Sequence, residues 1–353
     1  MSHMISRRRF AAGLGSLPLI GTAAARAQST PEASPAGIEL VEIPQVQLPD
    51  NAEVVNIGFL PIMIYAPIYV ALEKGYYAER GIDARPTPMN SGTDLAVMVS
   101  TNDLQIALSG IGPAFWNGLD SGLPLTLIAP GHEEGNPVAT PLMVGAQSEI
   151  TSVDQLSGKR VSVNAPGATE YWLNAALQTG GLTIDDVQLE YLGFPDAVAA
   201  LTANATDAAM VGEPLATSAV QQGTARILSN DFDVEGIQVT AVFSNNDWID
   251  GNGETAANFI AGYLQACRDL IDEPNDPLNL AIINKYTEVP VELIAEAVRP
   301  TYQPNGEFKI ENLVALQEFF AGRDLMAYDG TIDPAEVIRQ DVIDAAVESL
   351  GAR

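Results

Sequence analysis

The sequence predicts an α/β protein of two lobes with helices added at its C-terminal end. Three observations carry this. The chain has 353 residues, 47% of them hydrophobic, which suits about two domains of roughly 150 residues each. Short apolar strands alternate with helical stretches in two successive series, the pattern of α/β layers with mostly parallel sheets. From Val239 onward the pattern shifts to long amphipathic helices.

The first series opens with a strand at Val54–Leu60. A helix then runs from Pro67 to Lys74 and stops at Gly75. Leu104–Leu108 and Leu125–Ala129 are apolar, strand-like runs, the second ending in Pro130-Gly131. The second series begins with a strand at Pro141–Val144 and a short helix at Val153–Leu156 that Gly158 ends. A strand at Arg160–Val163 runs into Asn164-Ala165-Pro166-Gly167, and a helix at Glu170–Gln178 stops at Gly180-Gly181. Val187–Leu192 is a strand. Pro195–Ala203 is a helix with proline at its start, where a missing N–H costs nothing. Ala208–Val211 is a strand, Gly212-Glu213-Pro214 turns into another helix, and Ala225–Leu228 is a strand. After a strand at Val239–Phe243, a helix over Thr255–Ile271 places Phe259, Ile260, Tyr263, Leu264 and Cys267 on one stripe at helical spacing. Further helices are expected at Leu278–Tyr286, Val291–Val298, Ile310–Phe320 and Pro334–Leu350.

The N-terminus has the parts of an export signal. Ser6-Arg7-Arg8-Arg9-Phe10 is a twin-arginine pattern, Ala11 to Ala25 is Gly/Ala-rich and weakly apolar, and Ala25-Arg26-Ala27 offers a small-x-small cleavage site before Gln28. The expectation is a twin-arginine signal at 1–27, an extracytoplasmic or periplasmic location, and a flexible leader at 28–52, rich in Pro, Ser, Ala and Glu. Residues 1–27 hold four arginines and no acid, so removing them leaves 13 basic and 45 acidic residues, a net charge of −32. Such a surface repels nucleic acid and anionic lipid. The acids are scattered, as in a solvated coat, rather than blocked. No stretch after the N-terminus is long and apolar enough to span a bilayer. Cys267 is the only cysteine, so no disulfide forms within the chain. It is expected in the core.

Catalytic signatures are absent. Beyond the signal the one histidine is His132, which excludes zinc sites built on several imidazoles. No serine sits in G-x-S-x-G. Gly110-Ile111-Gly112 is followed by Pro113 and lacks the third glycine of a dinucleotide loop. His132-Glu133-Glu134 falls in a loop after a strand and reads as a surface or crossover element. No catalytic residue, metal or cofactor is expected.

Several runs together resemble a known family. They are Asn56-Ile57-Gly58-Phe59-Leu60, Ala66-Pro67-Ile68-Tyr69-Val70-Ala71, Glu73-Lys74-Gly75-Tyr76-Tyr77-Ala78-Glu79-Arg80-Gly81-Ile82, Ser91-Gly92-Thr93-Asp94 and Asn102-Asp103-Leu104-Gln105-Ile106-Ala107. Leu156-Ser157-Gly158-Lys159-Arg160-Val161, Pro166-Gly167 and Gly212-Glu213-Pro214 continue the series. In order and spacing, over about residues 54–270, they resemble the SsuA/THI5-like (NMT1) substrate-binding proteins of ABC importers. The resemblance implies a two-lobed type II periplasmic-binding-protein clamshell. Lobe one would be 53–142 plus 238–353, and lobe two 143–237. It also implies ABC permease and ATPase subunits as partners, and a monomer is expected. The family often has an aromatic residue where Gly212 stands, which implies a roomier pocket here. Fungal relatives that make a thiamine pyrimidine use a cysteine-rich motif and a sacrificial histidine. The cysteine-rich motif is absent here, so that activity is not expected.

In open α/β sheets, ligands collect at strand C-terminal ends beside helix N-termini. Asn90, Ser91, Gly92 and Thr93 precede one helix, and Gly167, Ala168 and Thr169 another. Free N–H groups and the helix dipole make such places receptive to anions or carbonyl oxygens, while Ser or Thr also serves there as an ordinary N-cap. Glu213 is placed at the cleft by the resemblance, where a buried carboxylate asks for a donor-rich or cationic ligand. Its alternative role is a first-turn acid satisfied by the helix. Tyr65, Phe115, Trp116, Tyr171 and Trp172 are aromatic candidates near strand ends that offer flat faces. Tyr65 and Tyr171 adjoin strand-to-helix junctions and are preferred, whereas Trp116 and Trp172 fit core packing. Ser109 and Asn164 follow strands and can hydrogen-bond a solute. Glu213, with no lysine or arginine at the strand ends, favours a small nitrogen heterocycle such as a thiamine-precursor pyrimidine or a flavin. The helix N-termini favour an alkanesulfonate, taurine or nitrate-like anion instead. An importer's binding subunit ranks ahead of an exported sensor, and both rank ahead of a pyrimidine-synthesis enzyme.

Overall fold

The computed structural model describes residues 41–89 and 92–353, apart from the Thr93 side chain. The expected signal, residues 28–40 of the leader, Asn90 and Ser91 therefore lie outside the described residues. Residues 41–49 of the leader lie against the first lobe, where Ile43 packs on the core.

The chain begins with β1 (Glu53–Phe59), α1 (Ala66–Glu73), β2 (Ile82–Pro88), α2 (Gly92–Ser100), β3 (Ile106–Gly110), α3 (Pro113–Asp120) and β4 (Leu125–Pro130). A short strand, β5 (His132–Glu133), leads to β6 (Leu142–Gly145), β7 (Arg160–Val163), α4 (Ala168–Gln178), β8 (Gln188–Tyr191), α5 (Phe194–Thr202), β9 (Ala208–Met210), α6 (Leu215–Gln221) and β10 (Ala225–Ser229). The return is β11 (Thr240–Asn245), followed by α7 (Asn246–Asp272), α8 (Pro277–Thr287), α9 (Val291–Glu296), β12 (Thr301–Tyr302), α10 (Ile310–Ala321) and α11 (Gln340–Leu350).

Two five-stranded sheets result, ordered β2-β1-β3-β11-β4 and β10-β6-β9-β7-β8. They are the centres of the two lobes. The expectation of mostly parallel sheets is corrected: in each sheet two pairings are parallel and two antiparallel. The reason lies in the returns. β11 brings the chain back from the other sheet and enters between β3 and β4 antiparallel to both, and β6 does the same between β10 and β9.

β2 was not visible in the sequence. Its Arg85-Pro86-Thr87-Pro88 reads against a strand, but β2 is an edge strand, where missing amide donors are tolerated. The expected single helix at Pro334–Leu350 is one turn at Pro334–Glu336 and then α11. Val153–Leu156 is a 3-10 turn closed by a Ser152–Gln155 capping box.

The α7 stripe packs as its spacing predicts. Phe259, Ile260, Tyr263, Leu264 and Cys267 are all buried, and Phe259 stacks on Tyr77 with ring centroids 4.4 Å apart. Truncating such a ring costs ~3–5 kcal/mol. A second core runs from one lobe to the other, joining Phe115, Trp116 and Phe243 to Val161, Val163 and Leu173.

Two segments connect the sheets, 131–141 outward and 230–239 back. They are tied to each other: Gly236 N donates to Glu134 O at 2.8 Å and Val138 N to Asn230 O at 3.1 Å. Glu133 Oε1 accepts from Gln238 at 2.8 Å and from Gln303 at 2.7 Å, and Lys309 Nζ lies 3.1 Å away. Among the described residues, no helix is long and apolar enough to cross a membrane.

Candidate ligand cleft

Between the lobes, the C-terminal ends of β1, β3, β7 and β9 face one cavity of about 100 Å³. A water needs ~10–15 Å³ on the same measure, so there is room for a small solute. Two turns meet across it. Gly112, before α3, and Gly167, before α4, approach at bare-backbone distance: a Cβ on Gly112 would lie 3.4 Å from the Gly167 Cα.

The first lobe contributes Tyr65, Gly92 and Ser109. Tyr65 precedes α1 and is buried. Burial pushes its hydroxyl above the ordinary tyrosine value, and hydrogen bonding to Gly110 and Ser109 draws it partly back. Gly92 opens α2 with the Ser109 hydroxyl directly over it. A Cβ there would stand 2.3 Å from Ser109 Oγ, so any larger residue would force the Ser109 hydroxyl to turn away.

The second lobe contributes Asn164, Gly167, Ala168, Thr169 and Glu213. The expected Ser/Thr cap on α4 is corrected. The N-cap is Gly167, at φ 144°, and has no side chain to offer. Thr169 lies inside the helix and donates to Asn164 Oδ1 at 2.6 Å. The start of α4 thus meets the cavity without a side-chain cap.

Glu213 is 3% exposed. Its carboxylate accepts from Thr217 N at 3.0 Å and from Thr217 Oγ1 at 2.9 Å, capping α6. Burial raises its pKa above the usual glutamate value, while Thr217, the Val298 amide and the Arg299 charge oppose the shift. Both roles read from the sequence coincide in one residue, which lines the cavity and satisfies a helix start.

Tyr171 is not part of the lining. Its ring meets Phe319 edge-on at 5.3 Å, on the other side of α4. Trp172, expected in core packing, is buried in a core cluster and also lines the cavity, whereas Trp116 is fully buried. Of the two readings of His132, surface or crossover, the second holds: it lies in β5 on the outward segment between the sheets, and it is fully buried. Sequence reasoning missed Phe194, Phe243, Thr140 and Thr240 as lining, while Phe115, one of its aromatic candidates, does line the cavity. Phe194 follows the end of β8, as Asn164 follows that of β7, so the same rule could have found it. Thr240 carries no local signal, because its place depends on contact with residues 108 positions away.

Among the described lining residues there is no lysine, arginine or histidine, and Glu213 is the one carboxylate.

The NMT1/THI5 like family model matches residues 63–276. The nitrate/nitrite binding protein NrtA of Nostoc sp. is 24% identical over 365 residues, spanning 91% of this chain and 79% of its own. The riboflavin-binding protein RibY of Chloroflexus aurantiacus is 25% identical over 292 residues, 79% of this chain and 78% of its own. Among solved structures, the alkanesulfonate-binding protein SsuA from Xanthomonas axonopodis pv. citri bound to MOPS aligns with a TM-score of 0.66 at 18% identity, covering 82% of this chain and 99% of its own. The desulfurization enzyme DSZB aligns with a TM-score of 0.62 at 14% identity over 84% of this chain and 99% of its own. The fold alone therefore does not separate binding from catalysis.

Proposed function

The chain belongs to the NMT1/THI5-like family, and from that premise we propose that it is the extracytoplasmic solute-binding subunit of an ABC importer, taking a small, flat, neutral or cationic nitrogen heterocycle between its lobes. The observation that carries the ligand class is the lining. Tyr65, Phe115, Trp172, Phe194 and Phe243 supply rings, hydroxyls and Asn164 supply polar contacts, and Glu213 supplies the one carboxylate, with no basic side chain. A buried carboxylate in a lining that itself holds no cation, the Arg299 charge acting from outside it, disfavours an anion and suits ring N–H groups. The cavity volume favours a single small ring over a flavin.

Lobe one is 53–142 plus 238–353 and lobe two is 143–237. The two connecting segments act as a hinge. Export by the twin-arginine route, delivery to a permease and its ATPase, and a monomeric state complete the reading.

One observation favours a second reading. The uncapped start of α4 offers free N–H groups and a positive dipole end, which suit a sulfonate or nitrate. A thermal-shift screen against pyrimidines, flavins, sulfonates, nitrate and amines separates the two. A ligand at a hundred times its Kd adds ~2.7 kcal/mol. Stabilisation by pyrimidines supports the proposal, stabilisation by sulfonates or nitrate replaces it with the anion reading, and turnover of any hit would make the protein an enzyme.

A further inference from the structure

Behind the cavity, three polar side chains are buried in a row. Thr240 lines the cavity and is 2% exposed, while His132 and Glu134 are at 0% and 1%. Gly131 leaves the space for this: a Cβ there would stand 2.1 Å from Thr240 Oγ1. The Thr240 hydroxyl oxygen accepts the backbone N–H of His132 at 3.0 Å, and the Nδ1 of the same residue lies 2.9 Å from it. On the far side of the imidazole, Nε2 faces Glu134 Oε1 at 3.5 Å, too long or oblique for a formed hydrogen bond, and among the described residues neither atom has a hydrogen-bond partner. The other Glu134 oxygen accepts Ala139 N at 2.7 Å. Trp172 packs on the imidazole with ring centroids 5.6 Å apart.

A hydroxyl has one proton and two lone pairs. One Thr240 lone pair is used by the His132 amide. The remaining question is which way the proton at the Nδ1–Oγ1 contact points. A carboxylate facing Nε2 favours the neutral tautomer with its proton on Nε2, leaving Nδ1 as an acceptor. The Thr240 hydroxyl then donates to Nδ1, and what it has left for the cavity is a lone pair. We propose that His132 is a positioning residue for the ligand: through its Nε2–H tautomer it holds Thr240 as an acceptor toward the cavity, so the pocket floor selects solutes that bring an N–H or O–H. The selection of such solutes rests on the binding reading above. The tautomer does not.

The chain has two histidines, so His3→Gln leaves His132 as the one imidazole in the full-length protein. Nitrogen-15 NMR of that variant reads both ring nitrogens directly. The expected result is Nδ1 unprotonated and Nε2 protonated, with Thr240→Val shifting the Nδ1 resonance as its hydrogen bond is lost. Protonated Nδ1, in either the other tautomer or the imidazolium, overturns the proposal, and so does an Nδ1 resonance unmoved by Thr240→Val. The ligand arm compares 4-aminopyrimidine with 4-dimethylaminopyrimidine, which lacks the N–H. Wild type and Thr240→Ser should prefer the first by roughly tenfold, and Thr240→Val should lose that preference. An equal preference in Thr240→Val would overturn the selection by Thr240. Failure of both probes to bind would count against the heterocycle reading, while the imidazole spectrum still decides the tautomer.

Discussion

Gly112 and Gly167 face one another across the cleft so closely that a Cβ on the first would sit 3.4 Å from the Cα of the second. They belong to different lobes, so the contact exists only when the lobes are together. Gly112→Val should leave folding nearly intact, because Gly112 has an ordinary extended backbone (φ −97°). Its side chain would prop the cleft open and weaken binding of every solute by at least tenfold. Scattering should show an expanded particle at saturating solute. Unchanged affinity would mean that closure does not need the glycine contact.

Phe194 fills the space over Gly212. A Cβ on Gly212 would come within 3.1 Å of the Phe194 ring. The roomier pocket expected from Gly212 is therefore corrected, since a ring from the start of α5 occupies the room. Phe194→Ala should weaken aromatic solutes about three- to tenfold, the worth of one ring contact, and leave nitrate unaffected. Titration calorimetry with one solute of each kind checks this, and equal losses would assign Phe194 to packing alone.

For Glu213 the pH dependence has a definite sign. Burial raises its pKa in the folded protein, so the folded state holds this proton more tightly than the unfolded chain. Stability from this group is then greatest at acid pH and falls as pH rises from the ordinary glutamate value through the folded one. Glu213→Gln removes that loss. Its thermal midpoint should exceed wild type at neutral pH and converge with it in acid. In the heterocycle reading the same variant also loses at least tenfold in affinity, because a charge-assisted bond is lost. Retained affinity would leave Glu213 as the cap of α6.

How much of this was legible depended on range. Glu213, Asn164 and Gly167 were readable because each follows a strand, and Ser109 because it lies at the end of one, and strand ends are a local signal. Tyr171 followed the same rule but sits one helical step from the lining, so it turns to Phe319 while its neighbours Thr169 and Trp172 turn inward. That difference is about 100° of helix rotation per residue, and the boundary of α4 had to be right to see it. The sequence placed the helix start at Glu170, and the structure places it at Ala168. β2 was hidden because its prolines are harmless only at a sheet edge, and edges are set by the rest of the sheet. The burial of His132 was not legible because it depends on β12 and β11, more than a hundred residues downstream.

Glu170 gives the last prediction. It is fully buried on the face of α4 that turns away from the cavity, where Tyr191 donates to Oε1 at 2.5 Å and Arg323 Nε lies 3.3 Å from Oε2. Arg323 follows α10, and the segment after it is tied to the first lobe, with Asn117 donating to Leu325 O at 3.0 Å. The pair therefore ties the outer face of α4 to the other lobe. Arg323→Met leaves a buried carboxylate with Tyr191 as its remaining partner, and breaking such a pair costs ~3–5 kcal/mol. The thermal midpoint should fall by several degrees. Adding Glu170→Gln should recover much of that loss, because the unpaired charge is then gone, whereas a purely steric role for Arg323 would make the two losses add. If the lobes close on a solute as proposed, this tie holds them together, and Arg323→Met should then raise the solute off-rate more than it lowers the on-rate. Stopped-flow release of a bound solute measures this directly, and an unchanged off-rate would confine Arg323 to stability.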